Sequence, residues 1–461
     1  MIGVIVVALA CAAAAYLILK RYYAPGALLL VGCITLLVAI FVGPEPLISG
    51  KVAKTATHNQ FLDIVQSVTN LFKTRAGGLG MNIMAIAGFS TYMTKLGASK
   101  AMVDACAVPL KYIKAPYLVM TIAYALGIFF NVFIPSAAGL SLLMMVAVYP
   151  VVVAAGVSRQ AAAATILVGT TFALSPGGAN NLLASRLLNI HVTEFWAHTQ
   201  LMIALVAVPV SLLVHYFVQK WFDKKDLESG RITQADFAAV TVEDTTKEHA
   251  PAFYALFPVI PVAMLIIFSP LVYKGIRMEF VTAMLTSTFI AFVIDFLCRR
   301  NLKESVANLK AYAEGMGKVF TSTVFLIVSA EVFAAGLMKS GGIATIIDYV
   351  SHLSAGAIVM YTAMFAIVWL LSFLVGSGNA AFFSFAPLIP KAAQAVGLEP
   401  AAMLSSFQLI SGCGRSSSPI AGCTIAVSGI SGVEPFVLIR RSIPVMIVTG
   451  IVIYVRTLTM I

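Results

Sequence analysis

Long apolar runs separated by short polar segments make up most of this chain. A bilayer crossing needs roughly 20 mostly apolar residues, and about ten runs meet that requirement. We predict spans at about 2–19, 25–43, 78–95, 160–190 and 195–219, and then at about 252–272, 278–297, 315–338, 401–432 and 436–458. Two further apolar stretches, 115–156 and 356–396, are each broken near the middle by small and polar residues. The pattern predicts an all-α polytopic membrane protein.

The composition agrees with lipid as the main solvent. Hydrophobic residues fill 60% of the 461 positions and charged residues only 11%, whereas soluble proteins carry about a quarter charged residues. The formal net charge of +11 is carried by short loops, where the positive-inside rule places basic residues, so it does not indicate nucleic-acid binding. The six scattered cysteines fit small buried hydrophobes better than metal ligands.

The first apolar run is interpreted as a retained helix. No basic segment precedes Ile2–Leu19, and Lys20-Arg21 and another span follow it. A cleaved signal peptide is the alternative.

Signatures of enzymes are missing from the sequence. It contains neither a GxxxxGK[ST] phosphate loop nor an HExxH metal motif, and it has no soluble volume for an ATPase. We therefore expect no enzymatic activity and no cofactor. Transport driven by gradients of ions or substrates remains.

One polar segment divides the chain almost in half. Lys220 to His249 is the longest such segment, and about thirty polar residues cannot bury a core of their own. We predict a cytoplasmic linker at 220–250 between membrane repeats at 1–219 and 251–461.

The two halves share sequence features at a nearly constant separation. Met120 and Met360 open similar runs 240 residues apart, and Gly97 and Gly341 close similar segments 244 residues apart. A nearly constant offset over about 70 residues predicts an internal repeat.

The basic residues set the orientation of the halves. With the linker in the cytoplasm, most basic loops fall inside only if 115–156 and 356–396 enter and leave on the same side. The exception is the loop at 44–77, which falls outside. Each half then has about five spans and one re-entrant hairpin, and an odd number of spans inverts the second half. The predicted fold is two inverted repeats with discontinuous helices at the midplane.

Four interruptions of the apolar pattern carry the candidate chemistry. Two lie at the hairpin tips, at 135–139 and 376–379, and two lie inside the long spans, at 175–181 and 411–419. A helix break at membrane depth must line a cavity or be buried in protein. Its free N–H groups suit a carboxylate, and its free carbonyls suit Na⁺. Simple packing kinks between membrane helices are the alternative.

Two charged residues within predicted spans add to this picture. Arg415 lies in the fourth break, where an arginine is costly unless it meets an anion, and its planar fork fits a carboxylate. Glu331 lies in the span 315–338, where it could pair with a basic group, bind a coupling cation or carry a proton.

Three segments resemble the DcuC family of anaerobic C4-dicarboxylate carriers. They begin at Thr74-Arg-Ala-Gly-Gly-Leu-Gly80, at Gly376-Ser-Gly-Asn-Ala-Ala-Phe-Phe383 and at Gly414-Arg-Ser-Ser-Ser-Pro419, and the likeness runs along nearly the whole chain. The resemblance implies the inverted repeats, re-entrant hairpins and elevator-type movement of the ion transporter superfamily. It also implies a homodimer that carries succinate, fumarate and malate across a bacterial inner membrane.

The breaks and the resemblance together give a candidate binding site. The expected substrate-binding residues are Ser136, Ala137, Ser175, Asn180, Asn181, Ser377, Gly378, Asn379, Arg415, Ser416, Ser417 and Ser418. A Na⁺ site is expected near Ser136, Asn180, Ser377 and Asn379, with Glu331 as a candidate for ion coupling by H⁺ or Na⁺. A cation/proton antiporter, or a carrier of another organic acid in the same superfamily, is the alternative function.

Overall fold

The structure is a computed structural model, and it describes residues 2–20, 22–44, 46–48, 54–238, 250–268, 272–273, 275–276, 278–345 and 356–460. Over these residues the chain is helical and forms no strand. Seven of its helices are long and apolar enough to cross a membrane. The prediction of an all-α membrane protein is confirmed at this level.

Over its described residues, the first half contains twelve α-helices. They are α1 (Ile2–Leu19), α2 (Ala24–Val42), α3 (Gln60–Arg75), α4 (Met81–Lys95), α5 (Ala98–Ala107), α6 (Pro116–Phe133), α7 (Ala137–Ala147), α8 (Tyr149–Ala154), α9 (Arg159–Val168), α10 (Ala179–Leu188), α11 (Val192–Phe195) and α12 (Leu201–Glu228).

The second half, over the described residues, contains eleven. They are α13 (Ile260–Ile267), α14 (Phe280–Arg299), α15 (Leu302–Asn308), α16 (Lys310–Val319), α17 (Phe325–Lys339), α18 (Gly356–Val375), α19 (Gly378–Phe385), α20 (Ile389–Ala395), α21 (Pro400–Ser416), α22 (Gly422–Ser431) and α23 (Pro435–Leu458). A 3₁₀ segment, Ala252–Val259, leads into α13.

In each half, an irregular turn of the same kind joins two consecutive helices at corresponding positions. A π-helical turn, Ala76–Gly80, connects α3 to α4, and another, Phe320–Val324, connects α16 to α17. Each following helix ends near a glycine with positive φ, Gly97 at 77° and Gly341 at 76°. All these pairs lie 244 positions apart, close to the separation found in the sequence. The inverted orientation of the halves stays a prediction.

Several predicted boundaries differ from the structure. The first break, predicted at 175–181, lies between α9 and α10 at 169–178. Most of the predicted loop at 44–77 is helix, because α3 is amphipathic and its Asn59 side chain caps it by accepting from the N–H groups of Phe61 and Leu62. Helix α12 continues to Glu228, so the first nine residues of the predicted linker belong to it. The last eleven residues before Ala250, 239–249, lie outside the described residues. The predicted break at 411–419 starts too early, since α21 is regular up to Ser416.

A buried ion cluster joins the end of α12 to α23. Arg441 is fully buried, and its guanidinium pairs with Asp223 at 2.6 Å and with Asp226 at 2.8 Å. Asp223 also accepts hydrogen bonds from Tyr117 of α6, at 3.1 Å, and from Ser158, the N-cap of α9, at 2.5 Å. Four helices are therefore fixed together at one charged centre. Sequence reasoning assigned the aspartates to the linker because they lie beyond the apolar part of α12.

Removing one partner of a buried ion pair leaves an uncompensated charge, which costs about 3–5 kcal/mol. We expect Arg441→Met to lower the apparent melting temperature of the detergent-solubilised protein strongly. The matched control is Lys224→Met, because Lys224 makes an exposed pair with Glu228 on the same helix at 3.9 Å, and exposed pairs contribute little. Equal thermal shifts for the two variants, measured by fluorescence-detected size exclusion, would contradict this account of the cluster.

Candidate functional site

Four helix N-termini meet around one cavity of about 410 Å³. They are the starts of α7, α10, α19 and α22, and their first residues Ala137, Ala179, Gly378 and Gly422 all line it. The first-turn N–H groups of a helix have no partner within the helix, and the aligned peptide dipoles give that end a partial positive charge. The convergence makes the cavity suited to anions.

The two hairpin tips are built in the same way. Ser136 is the N-cap of α7 and accepts a hydrogen bond from the N–H of Gly139 at 3.2 Å, and Ser377 is the N-cap of α19 and accepts from Ala380 at 3.2 Å. A serine oxygen commonly satisfies one first-turn donor in this manner. Each hydroxyl keeps its own hydrogen, so both tips can still donate to a ligand.

The two broken helices begin their second halves without a side-chain cap. Neither Gly178 before α10 nor Ala421 before α22 has a side chain that caps the helix. The donors of the first turns are therefore left to the cavity. Asn180 lies in the first turn of α10, and its Oδ1 is buried without a hydrogen-bond partner among the described residues.

Side chains satisfy the carbonyl groups that the first break frees. The amide nitrogens of Gln200 and Gln408 both donate to the carbonyl of Ala173, at 3.1 and 3.0 Å. Trp196 donates to Leu174 at 2.8 Å, and Asn181 donates to Ser175 at 2.8 Å. An unpaired backbone group at membrane depth costs several kcal/mol, so this network is what permits the interruption from Gly169 to Gly178.

Glycines let the broken segments approach each other closely. A Cβ at Gly412 would overlap the carbonyl oxygen of Thr171, and one at Gly378 would lie 2.8 Å from the carbonyl oxygen of Ser411. Gly376 has φ = 71°, a conformation that favours glycine. The tip of the second hairpin is thus seated directly on α21.

Two charged side chains line the cavity, and both are cationic. Arg415 lies in the last turn of α21 and donates to the carbonyl of Thr170, while its Nε is buried without a hydrogen-bond partner among the described residues. Lys318 lies one residue before the end of α16 and is an exposed residue of the lining. Within the described lining no aspartate or glutamate opposes them.

Eight of the twelve predicted binding residues line this cavity. They are Ser136, Ala137, Ser175, Asn180, Ser377, Gly378, Asn379 and Arg415. The prediction that the four breaks come together therefore agrees with the geometry, while the binding roles of these residues stay predictions.

The other four predicted residues are fully buried behind the lining. Asn181 donates to Gln200 as well as to Ser175, at 2.8 Å each. Ser416 accepts from the hydroxyl of Thr171 at 2.8 Å, and Ser417 donates to the carbonyl of Cys413 at 2.9 Å. The carbonyl of Ser418 accepts from Thr424 at 2.8 Å. These residues hold the breaks in shape and do not face the cavity.

Glu331 is not brought to the cavity. It is 5% exposed and accepts a hydrogen bond from Arg75 Nε at 2.6 Å, next to the first π-helical turn. Of the alternatives that the sequence left open, the structure shows a basic partner. Its role in ion coupling stays a prediction.

Several cavity residues escaped sequence reasoning. Asn131, Gln408 and Lys318 lie in regular helices without any interruption of the pattern. The hydroxyl side chains Ser90, Thr91, Ser322 and Thr323 also line the cavity. A signal did exist for Lys318, since a lysine inside an otherwise apolar span marks a candidate functional position.

Sequence comparisons agree with this architecture. The family model described as C4-dicarboxylate anaerobic carrier (DcuC) matches residues 1–461. The anaerobic C4-dicarboxylate transporter DcuC of Escherichia coli K12 is 33% identical over 456 residues, covering 99% of this chain and 95% of that protein. The probable anaerobic C4-dicarboxylate transporter DcuC of Vibrio cholerae is 32% identical over 437 residues, covering 94% and 93%.

Two solved membrane transporters share the fold. MtrF of Neisseria gonorrhoeae, described with a class of antimetabolite efflux pumps, aligns with a TM-score of 0.59 over 94% of both chains at 15% identity. The YdaH transporter of Alcanivorax borkumensis aligns with a TM-score of 0.60 over 95% of this chain and 98% of its own, also at 15% identity.

The contact between the two broken helices can be tested at Gly412. We expect Gly412→Ala to lower both thermal stability and transport, because a methyl group would push α21 away from the carbonyl of Thr171, and overpacking typically costs about 1–3 kcal/mol. Gly429→Ala on α22 is the control, since a Cβ there meets no atom within 4 Å. If both variants behaved like the wild type in melting and uptake assays, the close contact between α21 and Thr171 would not be required for stability or transport.

Proposed function

The chain belongs to the C4-dicarboxylate anaerobic carrier (DcuC) family, and on that premise we propose that it moves succinate, fumarate and malate across a bacterial inner membrane by alternating access. Family membership makes it a multi-pass membrane transporter of C4-dicarboxylates and not an enzyme. The individual substrates, the movement and the coupling ion are parts of the proposal.

The convergence of four helix N-termini on the cavity is the observation that carries the proposal. A C4-dicarboxylate is a dianion near neutral pH, and it needs hydrogen-bond donors and positive charge where water is scarce. The four N-termini supply backbone N–H groups and positive dipole ends, and the cationic side chains that line the cavity add full charges. Partial charges from backbone groups bind an anion without the desolvation cost of many buried ions.

In this proposal the hairpin tips and Arg415 bind the same carboxylate of the substrate. We assign one carboxylate to the tip residues Ser377, Gly378 and Asn379, whose backbone N–H groups begin α19. Ser136 and Ala137 form the equivalent start of α7. The Arg415 guanidinium then meets the substrate through its free face, since one of its nitrogens already holds the carbonyl of Thr170.

The proposed movement is of the elevator type, with the two halves arranged as inverted repeats. The hairpins, the broken helices, α12 and α23 pack together, and the Arg441 cluster ties α6, α9, α12 and α23 within this group, so they would move as one body. The pairs α2–α17 and α4–α16 pack tightly and would form the frame. Matching π-helical turns in α3–α4 and α16–α17 support equivalent roles for these frame helices.

Sodium is our proposal for the coupling ion. Asn180 Oδ1 and Gln408 Oε1 are both buried without a hydrogen-bond partner among the described residues, and both side chains line the cavity. Neutral oxygens of this kind are suitable ligands for Na⁺ beside helix ends. Ser136, Ser377 and Asn379, near which the sequence predicts a Na⁺ site, line the same cavity.

Arg415 provides the direct test of the binding site. We expect Arg415→Gln to reduce counterflow of labelled succinate in proteoliposomes by at least about tenfold, because a hydrogen bond to a charged group contributes about 1.5–3 kcal/mol. The control is Arg300→Gln. Arg300 is exposed, directly follows the end of α14 and does not line the cavity. Wild-type counterflow by a correctly folded Arg415→Gln protein would remove Arg415 from the site.

Sodium coupling is tested separately. We expect replacement of Na⁺ by choline at constant pH to slow succinate uptake, and Asn180→Ala to raise the Na⁺ concentration required for half-maximal uptake. Uptake that ignores Na⁺ and follows an imposed pH gradient would show that H⁺ is the coupling ion.

A further inference from the structure

We propose that Lys318 binds the second carboxylate of the substrate and thereby makes the carrier select dicarboxylates over monocarboxylates. The inference deepens the proposed function and rests on it. It adds a specificity residue that lies outside the hairpins and the broken helices.

Lys318 and Arg415 line the same cavity from different helices. Arg415 belongs to α21, at one of the breaks, whereas Lys318 belongs to α16, just before the turn Phe320–Val324. The two are the charged members of the described lining. A dianion bound between them would therefore meet one full positive charge from α21 and another from α16.

The Lys318 ammonium has no carboxylate partner within the described residues. On the same helix, Lys310 pairs with Glu314 at 3.4 Å. The neighbouring hydroxyl groups of Thr321 and Ser322 bond to the carbonyl of Lys318, at 3.0 and 2.9 Å. They occupy the backbone carbonyl at this position, and the three ammonium donors have no partner among the described residues.

The direction of the Lys318 side chain depends on two glycines at the contact between α16 and α4. A Cβ at Gly315 would lie 2.6 Å from the carbonyl oxygen of Ala87 on α4, and a Cβ at Gly88 would lie 2.8 Å from the carbonyl oxygen of Tyr312 on α16. These close approaches fix the rotation of α16 on α4. Lys318 follows Gly315 by three residues and so projects near the same face, beside Ser90 and Thr91 of the lining.

The two cations have different consequences for selectivity. Every carboxylate substrate presents one group for the hairpin tips and Arg415, but only a dicarboxylate presents another for Lys318. Loss of Lys318 should therefore weaken succinate binding and leave the binding of a monocarboxylate of similar length unchanged. A lysine that only keeps the cavity mouth hydrated, with its ammonium extended to bulk water, would not discriminate between the two.

The experiment measures counterflow of labelled succinate by the full-length protein in proteoliposomes, with unlabelled succinate and butyrate as competitors. The variants are Lys318→Gln and Lys318→Arg, and Lys310→Gln is the matched control on the same helix. For Lys318→Gln we expect the KM for succinate to rise about ten- to hundredfold, while the inhibition constant of butyrate changes less than about twofold. Lys318→Arg should recover most of the preference for succinate.

The outcomes separate this inference from the proposed function. Equal weakening of succinate and butyrate, or an unchanged KM for succinate in Lys318→Gln, would overturn the role of Lys318 even though the wild type transports succinate. Absence of succinate transport by the wild type would instead overturn the proposed function. A Lys318→Gln protein that elutes and melts like the wild type, yet has lost its preference for succinate, supports the inference.

Discussion

The requirement that backbone polar groups be satisfied at membrane depth governs this structure. Each helix break frees N–H groups on one side and carbonyls on the other, and lipid can pair neither. The protein treats the two kinds of group differently. Carbonyls of the first break are bonded by Gln200, Gln408, Trp196 and Asn181, whereas the donors of four helix starts face a shared cavity. A site with surplus donors and positive charge follows from that asymmetry.

The charged residues away from the cavity serve the framework that holds it. Arg441 and its aspartates fasten α6, α9, α12 and α23 to one another, and the Arg75–Glu331 pair connects the two π-helical regions. Both centres neutralise their charges internally. The cationic groups that line the cavity lack a carboxylate partner among the described residues, so their charge is left for a ligand.

Much of this site could be predicted from the sequence, because a break in an apolar run is visible without a structure. Ser136, Ser377 and Arg415 lie where glycine, proline and serine interrupt the pattern, and they do line the cavity. The sequence does not indicate which residues of a break face the cavity. The prediction therefore included Asn181 and Ser416, which are buried behind the lining. Lys318 was missed for a different reason: its helix is regular, and its direction depends on the glycine contacts between α4 and α16.

The proposed site has a physical reason to include side-chain cations. Helix N-termini offer only partial charges, and every one of them can serve a single carboxylate equally well. Distinguishing one carboxylate from two requires full charges held apart by the fold. Arg415 and Lys318 meet this requirement because they belong to different helices, α21 and α16, that line the same cavity. If the body containing α21 moves against the frame containing α16, the contact with Lys318 must be broken in each transport cycle. Selection of the dianion would then occur in only one of the two orientations of the carrier.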